Sequence, residues 1–240
     1  QSRDRALTGT GGVMSGVTVI LPSIDPENTR ACLDTMRFID PTHIPTHLDG
    51  VGSHPDVFDA CGIDWHDGKP DVRLVVVYNT AERNSGVAGA WNIGIRKMYE
   101  HGHDWLVILS AGVRFGPEGG WDFVERVIGD RFFGRAGPFA LEAANGLGWH
   151  LIAFHRSVFQ KVGYFDENFH PAYREDNDFS YRIQLAYGID SRAPQFVGPL
   201  WPKVDVDARL DSVAHGIIRG GVNVDLISNR DYYIEKWGGD

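Results

Sequence analysis

Five carboxylates fall within residues 163–183, "GYFDENFHPAYREDNDFSYRI": Asp166, Glu167, Glu175, Asp176 and Asp178. The last three crowd into four positions just ahead of an apolar helical pattern. Like charges that close repel, and a helix start does not need all three. A carboxylate at a helix N-terminus is held by backbone N–H groups, which suits it to general-base work. The simpler reading is that all three serve the helix dipole. Asp178 and Arg182, four apart on one helical face, form a structural pair. Asp166 caps or braces the loop that delivers the acidic helix.

A second constellation is "NSGVAGAWNIGI" at 84–95. Gly86 and Gly89 let a backbone come close to a ligand, and a helix N-terminus favours a diphosphate. Close helix–sheet packing asks for the same small residues. Asn84 and Asn92 are polar within a packed segment; either could hydrogen-bond a ligand or tie backbone.

These residues must be positioned by the elements around them. "VTVILP" (17–22) reads as a strand. Asp25 and Pro26 then start a helix that runs to about residue 39. A strand is expected near 44–49 and one helical turn at "DVFDAC". The unbroken apolar runs 72–79 and 104–110 are strands buried on both faces. Between them lies a helix closed by Gly102. The second half offers a helix near 120–129, a glycine-rich loop at 134–148, a strand at 150–154 and a helix at 156–162. The acidic helix spans about 175–187 and ends at Gly188, and a last helix starts at Ser228. This order predicts an α/β fold with a mainly parallel, Rossmann-like central sheet flanked by helices. Ligands then sit beyond the carboxyl ends of the strands, at Ser23–Asp25, Asp49–Ser53, Asn79–Asn92 and Ser110–Phe115.

Composition narrows the function classes. The chain has 240 residues, a formal charge of −9 and 42% hydrophobic residues, enough for one large domain. The acidity argues against an electrostatic grip on nucleic acid or anionic lipid. Cys32 and Cys61 are too few and too far apart for a metal motif or a disulfide framework. No run approaches a membrane span. Residues 1–16 read as a polar lead-in without the apolar core of a secretory signal, with Met14 a candidate start. A cytoplasmic protein is expected.

Taken in order, these pieces resemble the inverting glycosyltransferases of GT-A fold, of the large family 2 type. "VTVILPSID" resembles their opening strand, "NSGVAGAWNIGI" their N-x-G helix, "VGYFDENFHPAYREDNDFSYRI" their G-x-F-D-E segment and E-D helix, and "VAHGIIRGG" (213–221) their late histidine element. The resemblance covers most of 17–239. It implies one GT-A domain over 17–240, with a nucleotide-sugar-binding half at 17–116 and an acceptor-binding half at 117–240. It implies a UDP-, GDP- or TDP-sugar donor and a hydroxyl acceptor, which could be a glycan, a lipid-linked or a small molecule; the acidity counts against nucleic acid. By resemblance Asp176 is the base and Glu175 positions the acceptor or the base. Asp49 is the candidate for the nucleotide base, Asn84 and Gly86 for the donor, and Trp149 and His150 for the acceptor, with Phe139 and Trp201 further aromatic candidates.

One position departs from the family. Where an acidic D-x-D element should hold Mn²⁺ or Mg²⁺ against the departing diphosphate, this chain has Ser110, Ala111 and Gly112. Either the metal is absent, or other groups hold it, or catalysis is lost. Arg114, Arg219, Lys203 and His215 could neutralise a diphosphate instead, with His215 also a possible metal ligand. A degenerate GT-A domain that binds nucleotide or sugar, or acts as a scaffold, is the alternative. A nucleotidyltransferase would need a glycine-rich phosphate loop after the first strand, and "LPSIDPENTR" has no glycine.

Overall fold

The computed structural model of the chain describes residues 16–37, 56–61, 71–128, 140–188, 203–210 and 226–239. The strand expected at 44–49 lies outside them. The described elements are β1 (Val17–Ser23), α1 (Pro26–Met36), β2 (Asp56–Cys61), β3 (Val72–Tyr78), α2 (Gly86–Glu100), β4 (Trp105–Leu109), β5 (Val113–Phe115), α3 (Trp121–Ile128), β6 (Ala140–Ala143), β7 (Leu151–His155), α4 (Arg156–Val162), α5 (Glu175–Tyr187), β8 (Lys203–Val204), β9 (Ala208–Leu210) and α6 (Leu226–Trp237).

Seven strands form one sheet in the order β2-β3-β1-β4-β7-β6-β8, and β5 pairs with β9 in a separate two-stranded sheet. The α/β class is as expected, but the sheet is mixed rather than mainly parallel. The β1–β3, β1–β4 and β6–β8 pairs are parallel, while β2–β3, β4–β7 and β6–β7 are antiparallel. Strand direction leaves no trace in the side chains when both faces are buried, so apolar runs alone suggested a more uniform sheet. "DVFDAC", expected as a helical turn, is the edge strand β2, drawn into extended form by pairing with β3. The strands β5, β6 and β9 were not anticipated; each is too short for a periodic pattern to register.

Alternate side chains feed two cores, one on each face of the sheet. Val17, Val19 and Leu21 of β1 pack with Cys32, Leu33 and Met36 of α1 and with Phe123, Val124 and Val127 of α3. Ile20, Leu106 and Ile108 face the other way, against Ala88, Trp91 and Ile95 of α2, Phe159 of α4, and Phe179 and Ile183 of α5. Gly94 makes the close approach of α2 possible: a Cβ there would lie 2.7 Å from Ile20 Cβ. The start of α1 is as its sequence implies, with the Asp25 carboxylate accepting from the Glu27 and Asn28 amides at 3.1 and 3.2 Å.

Candidate active site

The strand registers bring the ends of several strands and the turns that follow them to one side of the sheet. The parallel strands β1, β3 and β4 end together at Ser23, Tyr78 and Leu109. Because β7 runs against β4, with Leu151 opposite Leu109, the turn carrying Trp149 and His150 arrives at the same edge. The Ser110 amide donates to the His150 carbonyl at 2.8 Å. Strand β6 runs against β7 and places Glu142 opposite Ile152, near that edge too.

The acidic turn separates its carboxylates by environment. Asp178 is fully buried and accepts from Arg182 Nε at 2.9 Å, Trp237 Nε1 at 2.9 Å and Lys236 Nζ at 2.7 Å. It is the structural member, paired with Arg182 as the spacing implied. Glu175 is buried, and its Oε2 has no hydrogen-bond partner among the described residues. Burial pushes its carboxyl up to about 8, with the neighbouring Asp176 charge adding to the rise and its own backbone amide opposing it. A carboxyl that keeps its proton near neutral pH relieves the like-charge repulsion along this turn. Asp176 stays half-exposed, with Oδ1 accepting from the Asn177 amide at 2.8 Å.

The backbone ahead of this turn is strained and pinned. Tyr173 and Arg174 both have φ of 75°, a left-handed conformation costly for side-chain-bearing residues. Helix α6 holds them: buried Asn229 donates to the Ala172 and Tyr173 carbonyls at 2.7 and 3.2 Å. Lys236 Nζ reaches Asp166 at 2.6 Å as well as Asp178. Asp166 also accepts from Tyr232 Oη at 2.8 Å and the Asn168 amide at 3.0 Å. Partial burial alone would raise the Asp166 carboxyl, but the Lys236, Asn168 and Tyr232 donors outweigh it and bring it to about 2. Asp166 is therefore architecture, bracing the loop as its sequence position suggested. Nothing in the sequence marked Lys236, Asn229 or Tyr232 as the partners, because they lie some 60 residues away along the chain.

Asp176 opens onto a cleft of about 410 Å³. Trp149, Glu142, Asn177, Ser180, Tyr181, Gln184 and Tyr233 complete its described wall. Trp149 thus lies beside Asp176, and its other side is committed to packing: it stacks on Trp91 at 5.9 Å and meets Phe165 and Phe179 edge-on. Sequence reasoning missed Glu142, Tyr181 and Gln184. The i, i+4 spacing from Asp176 to Ser180 to Gln184 on α5 was the available signal for Gln184, and for Ser180 in the same wall.

The donor candidates are brought less close to any cavity. Gly86 has φ of 68°, and a Cβ on it would meet His170 Cδ2 at 2.9 Å and the Pro171 carbonyl oxygen at 3.0 Å. The His170–Pro171 segment fills the space in which a diphosphate was expected, and the Val87 amide donates to the Pro171 carbonyl at 2.8 Å. Asn84 Oδ1 accepts from the Gly86 amide at 2.9 Å, so its side chain closes the turn before α2. Asn92 ties backbone, donating to the Phe165 carbonyl at 3.0 Å and accepting from the Phe165 amide at 2.8 Å. Gly112 lies in the turn between β4 and β5. Arg114 is turned back onto that turn, donating to the Ala111 and Val113 carbonyls at 2.6 and 3.0 Å and to Asn28 Oδ1 at 3.3 Å. Asp49, His215, Arg219, Phe139 and Trp201 lie outside the described residues.

The β4–β5 turn does not fit a divalent cation. Its side chains are Ser110, Ala111 and Gly112, and the Ser110 carbonyl already accepts from the Val113 amide at 3.0 Å. Among the described residues no cluster of His, Cys, Asp and Glu is arranged to hold a metal. The Arg114 guanidinium stands there instead, and its charge partly offsets the burial that pushes the Cys32 thiol up to about 12. Among the described residues no helix is long and apolar enough to cross a membrane.

No protein-family model matches the chain, and no curated protein matches it either.

Proposed function

We propose that the protein is an inverting glycosyltransferase of GT-A type, moving a sugar from a nucleoside-diphosphate sugar to a hydroxyl acceptor. What carries this reading is Asp176: a half-exposed carboxylate on a pinned helix start, in a cleft walled by an indole and by hydroxyl and amide groups. Asp176 takes the proton from the acceptor hydroxyl as that oxygen attacks the anomeric carbon. The bond from the anomeric carbon to the phosphate oxygen breaks, and its electron pair leaves with the diphosphate. Glu175, buried at the same helix start, keeps a second negative charge off the site near neutral pH. The cationic Arg114 on β5, two residues past the Ser110–Gly112 stretch where the resembled family carries acids, supports a leaving group neutralised by side chains rather than by a metal.

The test is the Asp176→Asn variant, assayed with UDP-, GDP- and TDP-sugars. We expect transfer to fall by about 10²- to 10⁴-fold, the usual worth of a general base, with nucleotide binding and unfolding temperature nearly unchanged. Turnover equal to the parent protein sinks the assignment. The second reading, a GT-A domain that binds without turnover, is favoured by the loss of the acidic pair at Ser110 and Gly112. Nucleotide binding together with an absence of transfer and of donor hydrolysis in the unaltered protein would select it.

A further inference from the structure

We infer that the acceptor group entering the Asp176 cleft is an uncharged, hydroxyl-rich carbohydrate, gripped by Glu142 and Gln184, and that phosphate-bearing acceptors are turned away. The inference rests on the reading of Asp176 as the transferase base, and it adds Glu142 and Gln184 as specificity-determining residues.

Three observations converge. First, the wall of the cleft contains hydrogen-bond acceptors that no described residue satisfies. Gln184 is only 8% exposed, yet its Oε1 has no partner among the described residues. A buried amide oxygen left unpaired is costly, and a ligand O–H is the group that would satisfy it. The Glu142 carboxylate, in the same lining, makes no side-chain hydrogen bond with a described residue. Second, the charge in the described wall is of one sign. Glu142 and Asp176 are both acids, and no Lys or Arg lines the cleft among the described residues. Among the described residues a phosphate placed there would face two carboxylates and no cation, which disfavours an anionic acceptor. Third, Trp149 offers an aromatic surface whose orientation is fixed from behind by Trp91 and Phe154, at 5.9 and 5.1 Å between ring centroids. A rigid indole beside polar groups suits the C–H face and hydroxyl edge of a sugar ring. The volume, about 410 Å³, lies in the ~300–1,000 Å³ range of small-molecule sites.

The experiment is saturation-transfer NMR on the full chain with methyl glycosides of glucose, galactose, mannose and N-acetylglucosamine, beside the matching 6-phosphates and a short DNA oligonucleotide. We expect at least one neutral glycoside to bind and its phosphate to bind about tenfold more weakly or not at all. Glu142→Gln and Gln184→Leu should each weaken the neutral glycoside several-fold, and Glu142→Lys should narrow or reverse the preference against phosphate. Binding of a phosphate or of the oligonucleotide as tight as that of the neutral glycosides overturns the inference. So does the absence of any glycoside binding, or indifference to all three substitutions in folded variants. A parallel titration with nucleoside diphosphates separates the two claims. Glycosides without nucleotides would leave the carbohydrate site standing and remove the transferase reading; nucleotides without glycosides would do the reverse.

Discussion

Three acids in one helical turn are tolerated because each is in a different state. Asp178 is neutralised by Arg182 and Lys236, Glu175 is buried with its carboxyl raised to about 8, and Asp176 faces the cleft. The raised carboxyl has a consequence for stability. Below its ordinary value of 4.5, Glu175 is protonated in folded and unfolded chains alike, and its burial costs nothing in charge. As pH rises from 4.5 through about 8, the unfolded chain releases the proton while the folded chain keeps it, so stability falls with pH across that window. Glu175→Gln stays neutral throughout. Urea unfolding across a pH series should therefore show the variant gaining on the parent as pH rises, with the difference levelling above about pH 8. Parallel curves would mean that Glu175 titrates as an ordinary surface carboxyl. The sequence showed three acids and a helix start. It did not show which was paired, because Lys236 and Trp237 come from the last helix.

At the scale of elements, α6 is a clamp. Its Asn229, Tyr232 and Lys236 hold the strained loop and the acidic helix, and its Tyr233 lines the cleft. Lys236 bridges Asp166 and Asp178, which otherwise repel one another across the junction of loop and helix. Lys236→Met removes both charge-assisted bonds. We expect a loss of about 2–3 kcal/mol, read as a drop of about 5–10 °C in the thermal midpoint for a chain of this size. An unchanged midpoint would show that the bridge contributes only geometry. A helix at this place was legible from its pattern; its role was not. Its apolar stripe says only that it packs, and its polar contacts are made to segments distant in sequence. The same holds for "NSGVAGAWNIGI". The small residues were read as serving ligand approach, packing or both, and Gly86 against Pro171 and Gly94 against Ile20 put the weight on packing.

At the scale of the molecule, a mixed seven-stranded sheet gathers β1, β3, β4, β6 and β7, and Trp149 and Glu142 from it line one cleft with Asp176 of α5. Arg114 on β5, beside the β4–β5 turn, makes a whole-protein prediction. Calorimetric titration with UDP, GDP, CDP and TDP should find one nucleotide that binds equally, within about twofold, in Mn²⁺ and in EDTA, since a side-chain guanidinium needs no metal to meet a phosphate. Binding seen only with Mn²⁺ would require a metal site elsewhere in the chain. The family resemblance nominated Asp176; by itself, the sequence determined the α/β class, the positions of β1, β3, β4 and β7, the capped start of α1 and the acidic start of α5. Those are local matters, written in apolar runs, capping residues and charge spacing. Only the tertiary structure decided the mixed strand directions, the edge strand at Asp56–Cys61, the partners of Asp166 and Asp178, and the presence of Glu142 and Gln184 beside Asp176. Strand pairing and long-range hydrogen bonds join residues that local sequence cannot relate, because their energy depends on neighbours that only the folded chain supplies.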